Sequence, residues 1–142
     1  MKQLMKLAVA AALGAVASGS IVYAQAQMAE PPRAIVALYH TAPGQQEALL
    51  HWLADQDRIS AAAGLPASQL YVHTDGDSWD YMGINPVTTP AQDAAVEAAA
   101  RKMGMATGAK RAIEFRKLIA SHTDTYTIGP VTAAQVITAI GS

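Results

Sequence analysis

The sequence predicts an α+β domain with the element order β-α-β-β-α-β. Three observations carry that expectation. A near-continuous apolar run of strand length, Ala34 to His40, leads into an amphipathic helical pattern. Asp75-Gly76-Asp77-Ser78 is a tight-turn signal set between two strand-like segments. An alanine-rich helical region then precedes a late β-prone run, Ser121 to Ile128.

The elements follow in order. A strand apolar at successive positions is covered on both faces, so Ala34–His40 is expected at the centre of a sheet. Thr41-Ala42-Pro43-Gly44 reads as a turn. Leu49, Trp52, Leu53, Gln56, Ile59 and Ala63 then recur at steps of three and four and define one apolar stripe of a helix. Gly64, with Pro66 shortly after, ends it. Gln69 to Thr74 and Trp79 to Asn85 form a hairpin around the Asp-Gly turn, where glycine tolerates positive φ and the Asp side chains bond nearby backbone. Pro86 and Pro90 bound a loop. Ala91 to Met103 is helical. Gly104 and Gly108 interrupt it, and Ala109 to Ala120 resumes the pattern through Ile113, Leu118 and Ile119, giving a broken second helical region. Gly129-Pro130 stops the last strand, and Thr132 is placed to cap a short helix, Ala133 to Ile140. With right-handed crossovers this order folds as a split βαβ, ferredoxin-like sheet with strands in the order four, one, three, two and helices on one face.

The start of the chain has a different character. Lys2 and Lys6 carry the only charges before an uncharged, mostly apolar run, Leu7 to Val22, that closes at Val22-Tyr23-Ala24 and Ala24-Gln25-Ala26. A positive start, an apolar core and a small-x-small closure predict a signal peptide over 1–24, cleaved after Ala24 or Ala26. The run is shorter than the roughly 20 residues of a membrane span. Residues 25–33, with Pro31-Pro32, read as an extended leader, and 34–142 as one domain with a short C-terminal helix. Export implies a periplasmic or secreted protein that has no membrane contact after cleavage.

Composition narrows the function classes. The chain has 142 residues, 10 Lys and Arg against 11 Asp and Glu, and no cysteine. Without Lys2 and Lys6 the balance is eight against eleven, near −3. Nucleic-acid binding calls for a basic stripe, so no nucleic-acid partner is expected. An exported chain without cysteine has no disulfide, thiol nucleophile or thiolate ligand, and relies on packing or oligomerisation.

The Ala34–His40 strand, the Pro43-Gly44 turn into an amphipathic helix, the Asp75–Ser78 hairpin and the Ser121–Ile128 strand closed by Gly129-Pro130 resemble the dimeric α/β-barrel superfamily, and within it the antibiotic-biosynthesis-monooxygenase-like domains. The resemblance covers about Arg33 to Pro130. It implies two ferredoxin-like subunits packed sheet against sheet. Members include cofactor-independent oxygenases, haem-degrading enzymes and proteins of no known activity.

The candidate site residues come from topology. Strands one and two run parallel, and three and four run opposite to them, so one edge of the sheet gathers His40, His73, Asp75, Asp77, Trp79, His122 and Asp124. Imidazole and carboxylate together shuttle protons or bind divalent metals. The spacing matches no metal signature, and no metal or cofactor is expected. His40, His122 and Asp124 are the candidate catalytic groups. Tyr39, His73, Trp79 and Tyr81 are the candidate substrate contacts. The bland alternative is that strand ends collect polar residues because they face water. Trp52, Tyr71, Trp79, Tyr81 and Phe115 line a pocket or fill core and interface. Arg101, Lys102, Lys110, Arg111, Arg116 and Lys117 give the second helical region a basic face, either solvated or attracting an anionic ligand. Two functions follow: a small homodimeric enzyme, of cofactor-independent monooxygenase type, acting on an apolar or aromatic molecule between sheet and helices; or a non-catalytic exported protein that binds a ligand or has a structural or interaction role.

Overall fold

The computed structural model describes residues 32–141. The signal segment over 1–24 and most of the leader lie outside the described residues. Four strands and four helices alternate as β1 (Arg33–Thr41), α1 (Gln46–Ala62), β2 (Gln69–Val72), β3 (Tyr81–Pro86), α2 (Pro90–Lys102), α3 (Gly108–Arg116), β4 (Ile119–Ile128) and α4 (Ala133–Ala139). The strands form one antiparallel sheet in the order β2-β3-β1-β4. The fold is thus α+β, with β1 at the centre of the sheet as its apolar character requires.

Alternation along β1 assigns the two faces. Ala37, Tyr39 and Thr41 are buried, whereas Val36, Leu38 and His40 between them are only partly covered. The first set meets the helices. Ala37, Tyr39, Leu49 and Tyr81 form one buried cluster, flanked by Leu53 of α1 and by Phe115, Leu118 and Ile119 around the α3–β4 junction. A second cluster joins α1 to α2 through Ile59, Ala99 and Ala100, with Ala63, Val96 and Met105 around it. Two small clusters therefore hold α1 to the sheet at one end and α2 to α1 at the other.

Local signals set the helix ends. Gly64 takes φ 77°, and Leu65 N–H donates to the Ser60 carbonyl, closing α1 as the Gly-Leu-Pro sequence suggests. Thr89 and Gln92 form a reciprocal capping box at the start of α2, with Pro90 in the first turn. Thr132 and Gln135 repeat that device at α4.

Three expected boundaries need correction. The resumed helix does not run to Ala120. It ends at Arg116, and Ile119 already pairs with Thr41 of β1 across an irregularity next to His40. The apolar spacing of Leu118 and Ile119 mimics a helix, but β-branched Ile119 is the first rung of β4. The hairpin strands are also shorter than expected, β2 ending at Val72 and β3 starting at Tyr81. Residues 73–80 form a broader connection, in which Asp80 Oδ2 accepts a 2.6 Å bond from the Thr41 backbone N–H. Finally, Arg33 belongs to β1 and not to a leader.

Candidate functional site

Because α2 packs on α1, a cleft opens between α1, α2 and the helix-facing side of the sheet. Its volume is about 330 Å3. Ile35, Ala37, Leu53, Leu65, Leu70 and Val96 supply apolar walls. Gly83, central in β3, has no side chain, so the Tyr39 ring and the Asn85 amide close over its α-carbon. A β-carbon there would meet Asn85 Nδ2 and Tyr39 Cε2 at 3.3 Å.

The polar groups of the cleft come from four elements. Tyr39 is 8% exposed. Burial pushes its phenol pKa up, and the nearby Asp124 carboxylate adds to that; a hydrogen bond with the Asn85 side chain partly offsets both. Asn85 Oδ1 in turn accepts a 2.7 Å bond from Ser68 Oγ. The Ser68 backbone N–H donates to Asp57 Oδ1 at 3.3 Å. Gln56 donates through Nε2 to the Trp52 carbonyl at 3.2 Å, while its buried Oε1 has no partner.

An aromatic cluster stands beside the cleft with Phe115 at its hub. Phe115 stacks on Trp52 at 4.6 Å between centroids, meets Tyr39 edge-on at 6.0 Å, and meets His122 edge-on at 5.3 Å. His122 Nε2 lies 3.5 Å from Asp124 Oδ2. Arg111 of α3 lies over the Trp52 ring, 5.9 Å from its centroid. Burial draws the Arg111 pKa down from its ordinary value, and the Glu97 carboxylate offsets part of that. Among the described residues, no group of three or more His, Asp or Glu side chains is arranged to hold a metal ion.

The expected site residues divide. Tyr39, His122 and Asp124 share the helix-facing side of the sheet, because Tyr39 pairs with His122 and Ala37 with Asp124. Tyr39 and Asp124 line the cleft, and His122 stands behind Asp124. His40 does not join them. It pairs with Ser121, and side chains one position apart on a strand point to opposite faces, so His40 lies on the far side of the sheet from His122. His73 and Trp79 pack on each other at 5.0 Å beyond the end of β2, away from the cleft lining. Tyr81 is buried in the core with Leu49. Asn85, Ser68, Gln56 and Arg111 carry no sequence motif. The partial signals were Gln56 on the apolar stripe of α1 and Arg111 in the basic run of the second helical region.

The raised pKa of Tyr39 sets a pH dependence. The unfolded chain gives up the phenolic proton near the ordinary value of about 10, and the native chain gives it up only at higher pH. The stabilising contribution is therefore complete below about pH 10 and is lost as pH climbs toward the native value. Denaturant midpoints measured from about pH 9 to 11 should fall more steeply for the wild type than for Tyr39→Phe. Parallel profiles would mean that the phenol is not desolvated.

No protein-family model matches the chain, and no curated protein matches it in sequence. In structure it is similar to the crystal structure of PA3566 from Pseudomonas aeruginosa, with 20% identity and a TM-score of 0.44, over 71% of this chain and 96% of that one.

Proposed function

We propose that the protein is an exported, ferredoxin-like domain of the dimeric α/β-barrel type that binds a small apolar or aromatic molecule in the cleft between sheet and helices. The cleft itself carries the proposal. Its volume of about 330 Å3 falls at the small end of ligand sites, and its wall combines apolar residues with polar and charged side chains that can orient a ligand. Tyr39 offers a hydroxyl kept protonated at neutral pH, and Trp52 offers an aromatic ring at the rim. Native mass spectrometry of protein purified from its source should find a small molecule bound at one per chain. A crystal structure with the cleft filled by protein side chains would overturn the proposal.

Catalysis is the stronger of two uses for that cleft, on one observation. Asp124 lines the cleft and His122 Nε2 lies 3.5 Å from its carboxylate, a pair suited to take up a proton from a bound hydroxyl. This matches proton abstraction, the first demand of cofactor-independent oxygenation. Non-catalytic ligand carriage uses the same cleft and gives Asp124 no role. Asp124→Asn separates them: lost turnover with retained binding supports the enzyme, and unchanged turnover removes Asp124 from the chemistry.

We also propose a homodimer, formed on the open face of the sheet. Val36, Leu38, Met82, Ile84 and Tyr71 lie together on that face by register, with Tyr71 47% exposed. Monomers rarely leave apolar patches beyond a few hundred Å2 uncovered. Light scattering at micromolar concentration should return twice the chain mass for the wild type and a monomer for Leu38→Asp. A wild-type monomer would refute the dimer.

A further inference from the structure

The charges lining the cleft do not balance in the way that its polar bonds do. Asp57, Asp93, Asp124 and Arg111 are the ionic side chains of its wall. Each carboxylate is engaged: Asp57 by the Ser68 N–H, Asp93 by the Thr88 hydroxyl, and Asp124 by His122. Arg111 is the exception. Its backbone N–H donates to the Thr107 carbonyl, but among the described residues its side chain has no hydrogen bond and no ion pair. Its one close partner is the Trp52 ring. Glu97, whose carboxylate acts on it electrostatically, is occupied by Arg101 at 3.7 Å and by the Gly108 N–H at 3.3 Å.

Arg111 also holds a particular position. A second hollow of about 290 Å3 adjoins the cleft, and Trp52, Gln56 and Arg111 line both. Arg111 thus belongs to the walls of both hollows, with its guanidinium donors unspent. Arg111 is only partly covered, and a planar carboxylate satisfies two guanidinium donors at once. The Trp52 ring, 5.9 Å from the guanidinium carbon, attracts the cation and leaves its N–H donors free.

We infer that the ligand of the cleft is an anion, an aromatic or alicyclic carboxylate whose acid group is held by Arg111 at the Trp52 rim while its ring occupies the apolar cleft. This rests on the binding role proposed for the cleft. It adds the charge of the ligand and the residue that selects for it.

A matched pair of probes tests it: 2-naphthoate and its neutral amide, 2-naphthamide, each titrated calorimetrically into the purified protein at neutral pH. Naphthoate is expected to bind at least tenfold more tightly than naphthamide. Arg111→Gln should erase that preference by weakening naphthoate alone. Arg111→Lys should keep part of it, since the charge stays and the two-pronged geometry goes. The preference should also shrink as salt is raised, because exposed parts of the site are screened. Equal binding of both probes by the wild type would leave the cleft as a binding site and overturn the anion. A preference that survives in Arg111→Gln would overturn the assignment of Arg111. Failure of both probes to bind would overturn the cleft as a site for aromatic ligands, and the anion with it.

Discussion

Leu49→Ala is expected to destabilise the fold by about 2–5 kcal/mol, the range for truncating a large buried aliphatic side chain to alanine. Leu49 has no exposed surface and packs with Ala37, Tyr39 and Tyr81 where α1 meets the sheet. The remaining contacts at that junction are half-buried, so little material is available to collapse into the cavity, which favours the upper part of the range. Domains of this size have about 5–15 kcal/mol in total, so the loss is a large fraction of the whole. The check is a pair of denaturant titrations at equal protein concentration, with Leu50→Ala as the control. Leu50 is next in sequence but 38% exposed, and its truncation should cost under about 1 kcal/mol. Similar midpoints for both variants would mean that α1 is not seated on the sheet through Leu49.

That contrast between neighbours was legible in the sequence. The stripe through Leu49, Trp52, Leu53, Gln56 and Ile59 marks the inner face of α1, and Leu50 falls off it. The cap at Thr132 was equally plain, because it depends on residues close in sequence. The junction of α3 and β4 was not. Leu118 and Ile119 fit a helical period as well as a strand, and the decision belongs to Thr41, far away in sequence, which pairs with Ile119.

Register also separates what could be read of the site from what could not. Placing His122 beside Asp124 needs only the period of a strand. Placing His40 needs the register between β1 and β4, and a slip of one residue turns every side chain to the other face. The irregularity beside His40 makes that register unreadable from pattern alone. The cleft was harder still. Gln56, Ser68, Asn85 and Arg111 lie on different segments and come to line one cleft only through the packing of the helices on the sheet. An absent side chain leaves no periodic signal, so the glycine over which Tyr39 and Asn85 close looked like one more residue of a strand.

Gly83→Val is therefore expected to close the cleft while leaving the domain folded. Gly83 sits in β3, paired with Ala37 on one side and Leu70 on the other, and it is not among the residues with positive φ. The backbone thus accepts an L side chain without strain. Replacing glycine within a strand by valine removes chain entropy from the unfolded state and adds β-propensity, together worth about 1 kcal/mol or somewhat more. Against this, the new β-carbon presses on the Tyr39 ring and the Asn85 amide at 3.3 Å, and overpacking costs about 1–3 kcal/mol. The two effects largely cancel, so the melting temperature should move by no more than about 10 °C. Binding has no such compensation. The valine must push the Tyr39 ring and the Asn85 amide, both in the cleft wall, toward the space the ligand ring would fill, and affinity for a naphthyl probe should drop at least about a hundredfold, roughly 2.7 kcal/mol. Retained affinity in a folded Gly83→Val protein would place the ligand elsewhere. Should Tyr39 prove unable to shift and the valine variant unfold, Gly83→Ala adds a single carbon at the same point. A folded alanine variant that binds as tightly as wild type would then show that the ligand does not reach β3.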